Sequence, residues 1–438
     1  MAGTPVNWHM LSTDTAATPQ APAAPTASAP PRARPRFDTF GSLRHPNYRL
    51  LWIGTLCMSA GQWIQQVTLG YLAYELTGSA AVLGALGAVR TLPFLLVSPL
   101  AGVVADRVDR RILLIRAQWF LVVTAVLMGV LVVSGALEVW HLFVFTLVTG
   151  TAWSFNQPAR MALVPDSVPK EDLMNATALN SLGFNITKVI GPALGGVLIA
   201  AFGAGGNFFV QAVAYLGVTL AIYFMKMPAS TTVANNESVL ENLKGGIAYA
   251  WQTPMVLALL ALTLIPALLA IPYMALMPVF AKDVLGEGPA SLGAMYSAPG
   301  LGAVVSTLCL ASFANRLEKR GPLLLGALVL LGILLMLFSR TTSLPIALVA
   351  LVGVGAFHIL YMSVANTTLQ VIVPDALRGR VMSLYMLDIG LTPFGTLLAG
   401  VSTQAFGAPT TLTIMGASVI ILAVVVAWRL PQVRRITT

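Results

Sequence analysis

Long apolar stretches follow one another along almost the whole chain, and they constrain its fold more than any other feature. About 20 consecutive apolar residues are needed for a helix to cross the ~30 Å hydrocarbon core of a bilayer. Twelve stretches of this kind are present: 50–74, 80–104, 112–135, 139–161, 174–201, 206–226, 253–280, 290–314, 322–339, 344–371, 381–402 and 409–430. We therefore predict an all-α integral membrane protein with twelve transmembrane helices.

The composition fits a chain that is surrounded by lipid. Hydrophobic residues make up 57% of the 438 residues and charged residues only 9%, whereas soluble proteins carry roughly a quarter charged residues. The net charge of +9 comes from basic residues that stand singly or in short groups between apolar stretches. This distribution is typical of membrane topology and not of a nucleic-acid interface. We expect a lipid bilayer, and no nucleic acid, as a partner.

The sequence contains no motif for catalysis or for a bound cofactor. Cys57 and Cys309 lie far apart within apolar stretches, so they provide neither a disulfide framework nor a metal site. No Gly-rich phosphate loop with Lys and Ser or Thr is present, which argues against ATP hydrolysis. We expect a protein that is not an enzyme and that has no cofactor or metal.

Lysine and arginine residues are distributed unevenly between the two ends of the predicted helices. With the N-terminus in the cytoplasm, 21 of the 25 fall on the cytoplasmic side, Arg160 among them. Lys282 and Arg340 fall outside, and Arg90 and Lys188 fall within helices. Because basic loops remain in the cytoplasm, we expect a multi-pass protein with both termini cytoplasmic.

Two hydrophilic regions divide the chain. Residues 1–37 are rich in proline and alanine and cannot bury a core, so we predict a disordered cytoplasmic tail. The second region separates two sets of six apolar stretches. We predict an N-terminal six-helix half over residues 38–228, a cytoplasmic linker over 229–250 and a C-terminal six-helix half over 251–438.

Three short segments recur at a common shift of 209 residues. They pair residues 83–85 with 292–294, residues 106–111 with 315–320, and residues 164–166 with 373–375. Each pair falls at equivalent ends of predicted helices. A shared shift indicates a duplicated six-helix unit, so we expect two pseudo-symmetric halves.

The loop between the second and third predicted helices carries a family motif. Residues 102–111 read Gly-Val-Val-Ala-Asp-Arg-Val-Asp-Arg-Arg, which resembles the signature loop of the major facilitator superfamily. The resemblance implies the major facilitator fold, in which helices 2 and 11 meet across the boundary between the halves. It also implies a gating role for residues at these two places: Gly102, Asp106, Arg107, Arg110, Arg111, Arg378 and Arg380.

Further motifs resemble one part of this superfamily. Gly191, Pro192, Gly195 and Gly196 in the fifth predicted helix match the Gly-Pro-x-x-Gly-Gly core of an exporter-associated motif. Longer stretches resemble the enterobactin-exporter-like and macrolide-efflux-like (transmembrane secretion effector) branch. They are residues 74–79, 155–160, 175–181 and 373–383.

The resemblance implies a transporter of a bacterial plasma (inner) membrane. We expect secondary active export of small amphipathic organic molecules, of siderophore or drug type, by a monomer that uses alternating access and proton antiport. Two alternatives stay open. A protein of the same fold could carry lipids or lysophospholipids, which needs an apolar lateral opening. A non-transporting membrane scaffold or sensor would instead pair every charge inside its helices.

Four ionisable residues inside predicted helices are candidates for substrate binding or proton coupling, because an unpaired charge in hydrocarbon costs several kcal/mol. Arg90 cannot lose its proton, so it is either a structural counter-ion or a substrate contact. Lys188 lies near mid-membrane, where it would bind an anionic substrate or titrate. Asp388 is a candidate proton carrier or one member of a structural pair. His358 titrates near neutral pH, although a single histidine among apolar residues often serves packing.

Uncharged polar residues form a second set of candidates. Those in predicted helices 1 and 5 are Gln62, Gln66, Asn180 and Asn185. They either line a water-filled cavity or hydrogen-bond between helices. Trp63 and Trp153, near the middle of their helices, are candidates to stack on an aromatic substrate.

Overall fold

Helices account for nearly all of the structure, a computed structural model that describes residues 39–226, 239–313 and 319–436. The α-helices of the described residues are α1 (Pro46–Thr77), α2 (Ala80–Arg107), α3 (Arg110–Val133), α4 (Val139–Asp166), α5 (Leu173–Phe224), α6 (Val239–Gln252), α7 (Pro254–Ile265), α8 (Tyr273–Val279), α9 (Pro289–Phe313), α10 (Arg320–Arg340), α11 (Leu344–Ile372), α12 (Asp375–Phe406), α13 (Ala408–Arg429) and α14 (Pro431–Arg434). Short 3-10 helices cover Gly41–Arg44 and Lys170–Asp172, and π-helices cover Pro266–Ala270 and Phe280–Val284.

Eight helices of the described residues are long and apolar enough to cross a membrane, judged by length and composition. They are Arg111–Val133, Lys170–Phe224, Pro254–Val284, Pro289–Phe313, Arg320–Arg340, Leu344–Ile372, Leu377–Phe406 and Ala408–Arg429. Helices α1, α2 and α4, with 32, 28 and 28 residues, are also long enough, but they are not among these eight. The all-α membrane fold is confirmed, and the count of twelve spans stays a prediction for these three helices.

Helix α5 contains a chain reversal. Gly203 has a φ of 70° and a ψ of 171°, which are not helical. The Asn207 side-chain amide donates a hydrogen bond of 3.2 Å to the Gly195 carbonyl oxygen. Residues twelve apart in a continuous helix would lie about 18 Å from each other. Residues 173–202 and 204–224 are therefore two antiparallel helices, which correspond to the predicted stretches 174–201 and 206–226.

The predicted stretch 253–280 is not one regular helix. Helices α7 and α8 are separated by the π-helix Pro266–Ala270, and a second π-helix follows α8. Pro266, Pro272 and Pro278 lack the amide hydrogen that a regular helix needs. Such interruptions are frequent at functional sites, and this one lies beside the cavity described below.

The hydrophilic region between the halves contains helix α6. A Cβ atom on Gly246 would lie 2.7 Å from the Arg380 carbonyl oxygen, so α6 packs closely against α12. Residues 227–238 lie outside the described part of the chain, as does the whole predicted tail 1–37.

The helix bundle has two opposite ends. The Asn47 side-chain amide, near the start of α1, donates to the carbonyl oxygen of Lys226, just after α5 (2.8 Å). We call this side the terminal side. The opposite side, where α1 ends at Thr77 and α2 begins at Ala80, is the distal side.

Two close helix crossings join the halves and follow the sequence repeat. A Cβ atom on Gly84 in α2 would lie 2.9 Å from the Gly400 Cα atom in α12. A Cβ atom on Gly293 in α9 would lie 2.9 Å from the Gly196 Cα atom in α5. Gly84 and Gly293 are related by the shift of 209 residues. The equivalent helices α2 and α9 therefore each cross a helix of the other half in the same way. Small residues at such crossings let two helix backbones approach closely in a membrane.

Candidate functional site

A cavity of about 490 Å³ lies between the two halves. Residues from both halves line it: Gln62, Trp63, Gln65, Gln66, Leu69, Gly70, Leu83, Leu86, Gly87, Arg90, Thr91, Thr146, Thr149, Gly150, Trp153, Gln157, Ile271, Met274, Ala275, Tyr296, Thr392 and Thr396. The N-terminal half provides all the glutamines and the one charge among these residues. The C-terminal half provides an apolar wall at residues 271–275, next to the π-helix.

The glutamines of α1 do not all play the same part. The Gln65 side-chain oxygen accepts hydrogen bonds from the Gln211 amide (2.6 Å) and the Tyr215 hydroxyl (3.3 Å), and its amide donates to Thr149 (3.1 Å). Gln65 thus joins α1 to α4 and α5. Gln62 and Gln66 line the cavity at i and i+4, and Gln66 lies near the Tyr296 hydroxyl of α9 in the other half.

Arg90 of α2 lies inside the helix bundle. Its side chain is exposed to the cavity that it lines. It makes no hydrogen bond or ion pair with any described residue. The hydroxyl groups of Tyr215 and Tyr296 are within electrostatic range of its guanidinium group. The Tyr296 hydroxyl donates its hydrogen to the Met274 carbonyl oxygen (2.9 Å). No carboxylate is among the residues that line the cavity, so in the described structure the positive charge of Arg90 is not compensated.

Lys188 and His358 lie near each other but not among the lining residues of this cavity. Lys188 is half-buried in α5, where its carbonyl oxygen is the close neighbour of Gly300 in α9. His358 of α11 is within electrostatic range of Lys188. The His358 Nε2 atom is buried and has no hydrogen-bond partner among the described residues. The two candidates therefore form a second polar group, separate from Arg90.

Polar residues on α5 lead from the terminal side toward Lys188. Thr177, Ser181 and Asn185 are exposed, and each side chain donates to the carbonyl oxygen four residues earlier. Lys188 follows Asn185 by three residues, on the same helix face. Asn180 is half-buried on the same helix. Of the two predicted asparagines, Asn185 belongs to this polar face, and neither lines the cavity.

The exporter-associated motif packs helix α5 against two neighbours. A Cβ atom on Gly191 would lie 2.8 Å from the Trp63 Cβ atom, and one on Gly195 would lie 3.2 Å from the Ile64 Cα atom. Gly196 faces α9, where the Pro192 carbonyl oxygen also lies close to Gly293. The glycines thus bring α5 to α1 and α9, next to the cavity-lining Trp63.

Comparison with known proteins decides the family. The sequence profile of the family described as transmembrane secretion effector matches residues 37–437. The chain belongs to this family of major facilitator transporters.

Relatives of the transporter agree with this assignment. The chain is 27% identical to the staphyloferrin A transporter of Staphylococcus aureus (strain NCTC 8325 / PS 47), over 83% of this chain and 91% of that protein. It is 25% identical to the multidrug efflux pump Tap of Mycolicibacterium fortuitum, over 88% of this chain and 96% of that protein. The crystal structure of the nucleoside transporter NupG superposes with a TM-score of 0.72 at 12% identity, covering 87% of this chain and 98% of that chain. The protein is a major facilitator exporter and not an enzyme.

Part of the gating motif of this transporter is described. Gly102 and the side chains of Asp106, Arg107 and Arg110 lie outside the described part of the structure, as does the side chain of the candidate Asp388. Arg111 donates to the carbonyl oxygens of Ile222 (3.1 Å) and Tyr223, which ties the start of α3 to the end of α5.

The basic residues at the start of α12 contact their own surroundings. Arg378 pairs with Asp375, one turn earlier, and donates to the Gln370 carbonyl oxygen (3.1 Å). The Arg380 side chain lies against Gly245 of α6. In the described residues, both are therefore engaged within the C-terminal half and the linker helix.

Arg160, which the distribution of basic residues assigns to the cytoplasmic side, is buried inside the protein. It lies within α4 and is only 2% exposed. Its Nη1 atom donates to the Thr55 hydroxyl (2.5 Å), while Nε and Nη2 have no partner among the described residues. Asn156, one turn earlier on the same helix face, is also fully buried.

Proposed function

We propose that this transporter exports small amphipathic organic molecules across a bacterial plasma membrane by alternating access, with the central cavity as the binding site. The observation that carries the proposal is a cavity with both polar and apolar walls between two pseudo-symmetric halves. Substrate sites near mid-membrane at the interface of repeats are the general arrangement in secondary transporters.

The contacts between the halves fit one of the two states that alternating access requires. The crossings Gly84–Gly400 and Gly196–Gly293 lie in the distal parts of their helices. At the distal end itself, Lys282 and Glu75 form an ion pair of 2.9 Å between the halves. With the terminal side in the cytoplasm, as the distribution of basic residues predicts, a cavity closed on the distal side corresponds to the state in which an exporter loads its substrate; the export direction itself is supported by the relatives' names.

Energy for export would come from a proton gradient. Each pH unit supplies about 1.36 kcal/mol per proton, and the membrane potential adds about 2.3 kcal/mol per charge and 100 mV. Asp388 is the candidate proton carrier. The group formed by Lys188 and His358 is the alternative, because each of these side chains can gain and lose a proton.

The alternative functions make different demands on the structure. A scaffold or sensor would pair its buried charges, and Arg90 has no partner among the described residues. A lipid carrier would use an apolar lateral opening, whereas the cavity wall here carries four glutamines and an arginine. The relatives' names, a staphyloferrin A transporter and a multidrug efflux pump, also favour soluble organic substrates.

Inverted membrane vesicles provide the test. Vesicles with and without the transporter are given an acidic interior and then a panel of macrolides, iron chelators, aromatic dyes and a lysophospholipid. We expect uptake of at least one soluble compound that depends on the protein and is abolished by an uncoupler. Undiminished uptake after both the potential and the pH gradient have collapsed would contradict proton antiport. Movement of the lysophospholipid alone would assign the transporter to lipids.

A further inference from the structure

The charge of the cavity points to one class of substrate. We propose that Arg90 binds the anionic group of a soluble amphipathic organic anion, such as a carboxylate or sulfonate. The inference rests on the proposed export function and specifies its substrate.

Among the described residues that line the cavity, Arg90 carries the charge and the other polar groups are neutral. They are Gln62, Gln65 and Gln66 on α1, Thr146, Thr149 and Gln157 on α4, Tyr296 on α9, and Thr392 and Thr396 on α12. A guanidinium group enclosed in protein without a counter-ion is costly. That cost is recovered when an anion binds, so the cavity is suited to a negative group.

The polar neighbours of Arg90 bond to other groups, so the Arg90 guanidinium group is free to bind a substrate. The Gln65 side-chain oxygen already accepts hydrogen bonds from Gln211 and Tyr215. Tyr296 donates to the Met274 carbonyl oxygen. Arg90 itself makes no hydrogen bond to a described residue, so its donors on the cavity wall remain free. A planar guanidinium matches a carboxylate or sulfonate with two parallel hydrogen bonds.

The opposite wall specifies the rest of the substrate. Ile271, Met274 and Ala275 provide an apolar surface, and Trp63 and Trp153 provide half-buried aromatic side chains. A volume of about 490 Å³ is within the range of sites for organic ligands. The cavity therefore fits a molecule with an acidic group toward α2 and an apolar or aromatic body toward residues 271–275.

Two probes of the same shape separate charge from size. Naphthalene-1-sulfonate is an anion at all working pH values, and naphthalene-1-sulfonamide is its neutral counterpart at pH 7. Their dissociation constants are measured by calorimetry on the full-length transporter in lipid nanodiscs. The wild type is expected to bind the sulfonate at least about tenfold more tightly, the value of a charge-assisted hydrogen bond. Equal binding of the two probes by the wild type would overturn the proposal.

Variants locate the effect. Arg90→Gln is expected to bind both probes equally, with the wild-type affinity for the sulfonamide, which also reports that the cavity is intact. Arg90→Lys should keep part of the preference, because it keeps the charge and loses the paired hydrogen bonds. Arg340→Gln, a change of an exposed distal arginine within the C-terminal half, is the matched control and should behave as wild type. A retained tenfold preference in Arg90→Gln would overturn the assignment.

Two further results separate this inference from the proposed function. Gradient-driven uptake of neutral compounds without any sulfonate preference would leave export in place and remove the anion site. Preference for the sulfonate without gradient-driven uptake of any compound would leave the anion site in place and contradict the proposed export. Lysophosphatidylglycerol could displace the bound sulfonate at a lower concentration than added free sulfonate does. That result would assign the site to a lipid headgroup and overturn the proposal of a soluble substrate.

Discussion

The Tyr74 hydroxyl at the distal end of α1 donates a hydrogen bond to the Asp283 carboxylate at the end of the second π-helix. The two residues are 209 positions apart, which is the shift that relates the two halves. Equivalent positions of the halves therefore touch each other, as expected at a pseudo-two-fold axis. Beside them, Lys282 and Glu75 form an ion pair of 2.9 Å. These four residues, which we call the distal clasp, must separate before a substrate can leave on that side.

The distal clasp gives the first prediction. Lys282→Gln combined with Asp283→Asn should shift the population toward a distal-open form, because both contacts join the halves. Exposed ion pairs contribute about 0–1 kcal/mol, so the expected shift is a few-fold. It is measured by labelling of a cysteine at Thr91, a cavity residue, with an impermeant maleimide from the distal side, after Cys57 and Cys309 have been replaced. Arg340→Gln is the control, and unchanged labelling in the double variant would remove the clasp from the gating account.

The glycine crossings give the second prediction. Gly84→Ala would place a Cβ atom 2.6 Å from the Thr396 carbonyl oxygen, so α2 and α12 must move apart on the distal side. We expect more labelling of the cysteine at Thr91 from that side and slower export. Gly217→Ala is the matched control, since a Cβ atom there meets nothing within 4 Å. Equal labelling of the two alanine variants would show that the crossing tolerates a methyl group.

Arg160 gives the third prediction. Thr55→Val removes the hydroxyl that accepts from Arg160 Nη1 and leaves this buried donor only its longer contact of 3.4 Å with the Leu51 carbonyl oxygen, which costs about 1–3 kcal/mol. A lower midpoint of thermal unfolding in detergent is expected. In the background of Arg160→Met, the same Thr55→Val change should cost much less, because there is no buried donor to strand. Additive effects of the two changes would show that the contact does not contribute to stability.

Helix positions were largely predictable because hydrophobic length is a strong signal. The stretch 80–104 became Ala80–Arg107 and 344–371 became Leu344–Ile372. The chain reversal at Gly203 fell within the predicted connection 202–205. The π-helices around α8 were not predicted, since apolar content alone does not distinguish a regular helix from one interrupted by prolines.

The site was less predictable than the fold. Position along an apolar stretch gives the depth of a residue in the membrane, but not the direction in which its helix turns it. Lys188 and Arg90 have similar depth in sequence terms, yet Arg90 lines the cavity and Lys188 lies near His358. The burial of Arg160 was not predicted, because it depends on Gly54 and Thr55 of α1, which leave room for its guanidinium group. Only the packing of a distant helix provides that information.

The last prediction concerns proton coupling at Asp388, which is one turn before the cavity-lining Thr392 on α12. If one proton enters through Asp388 for each neutral molecule exported, a gradient of one pH unit supports about tenfold accumulation. Asp388→Asn cannot release a proton, so it should exchange substrate across vesicles at equal concentrations and accumulate none. Asp375→Asn, on the exposed start of the same helix, is the control and should accumulate as wild type does. Tenfold accumulation by Asp388→Asn would transfer the coupling to the group of Lys188 and His358, where His358→Gln should then abolish it.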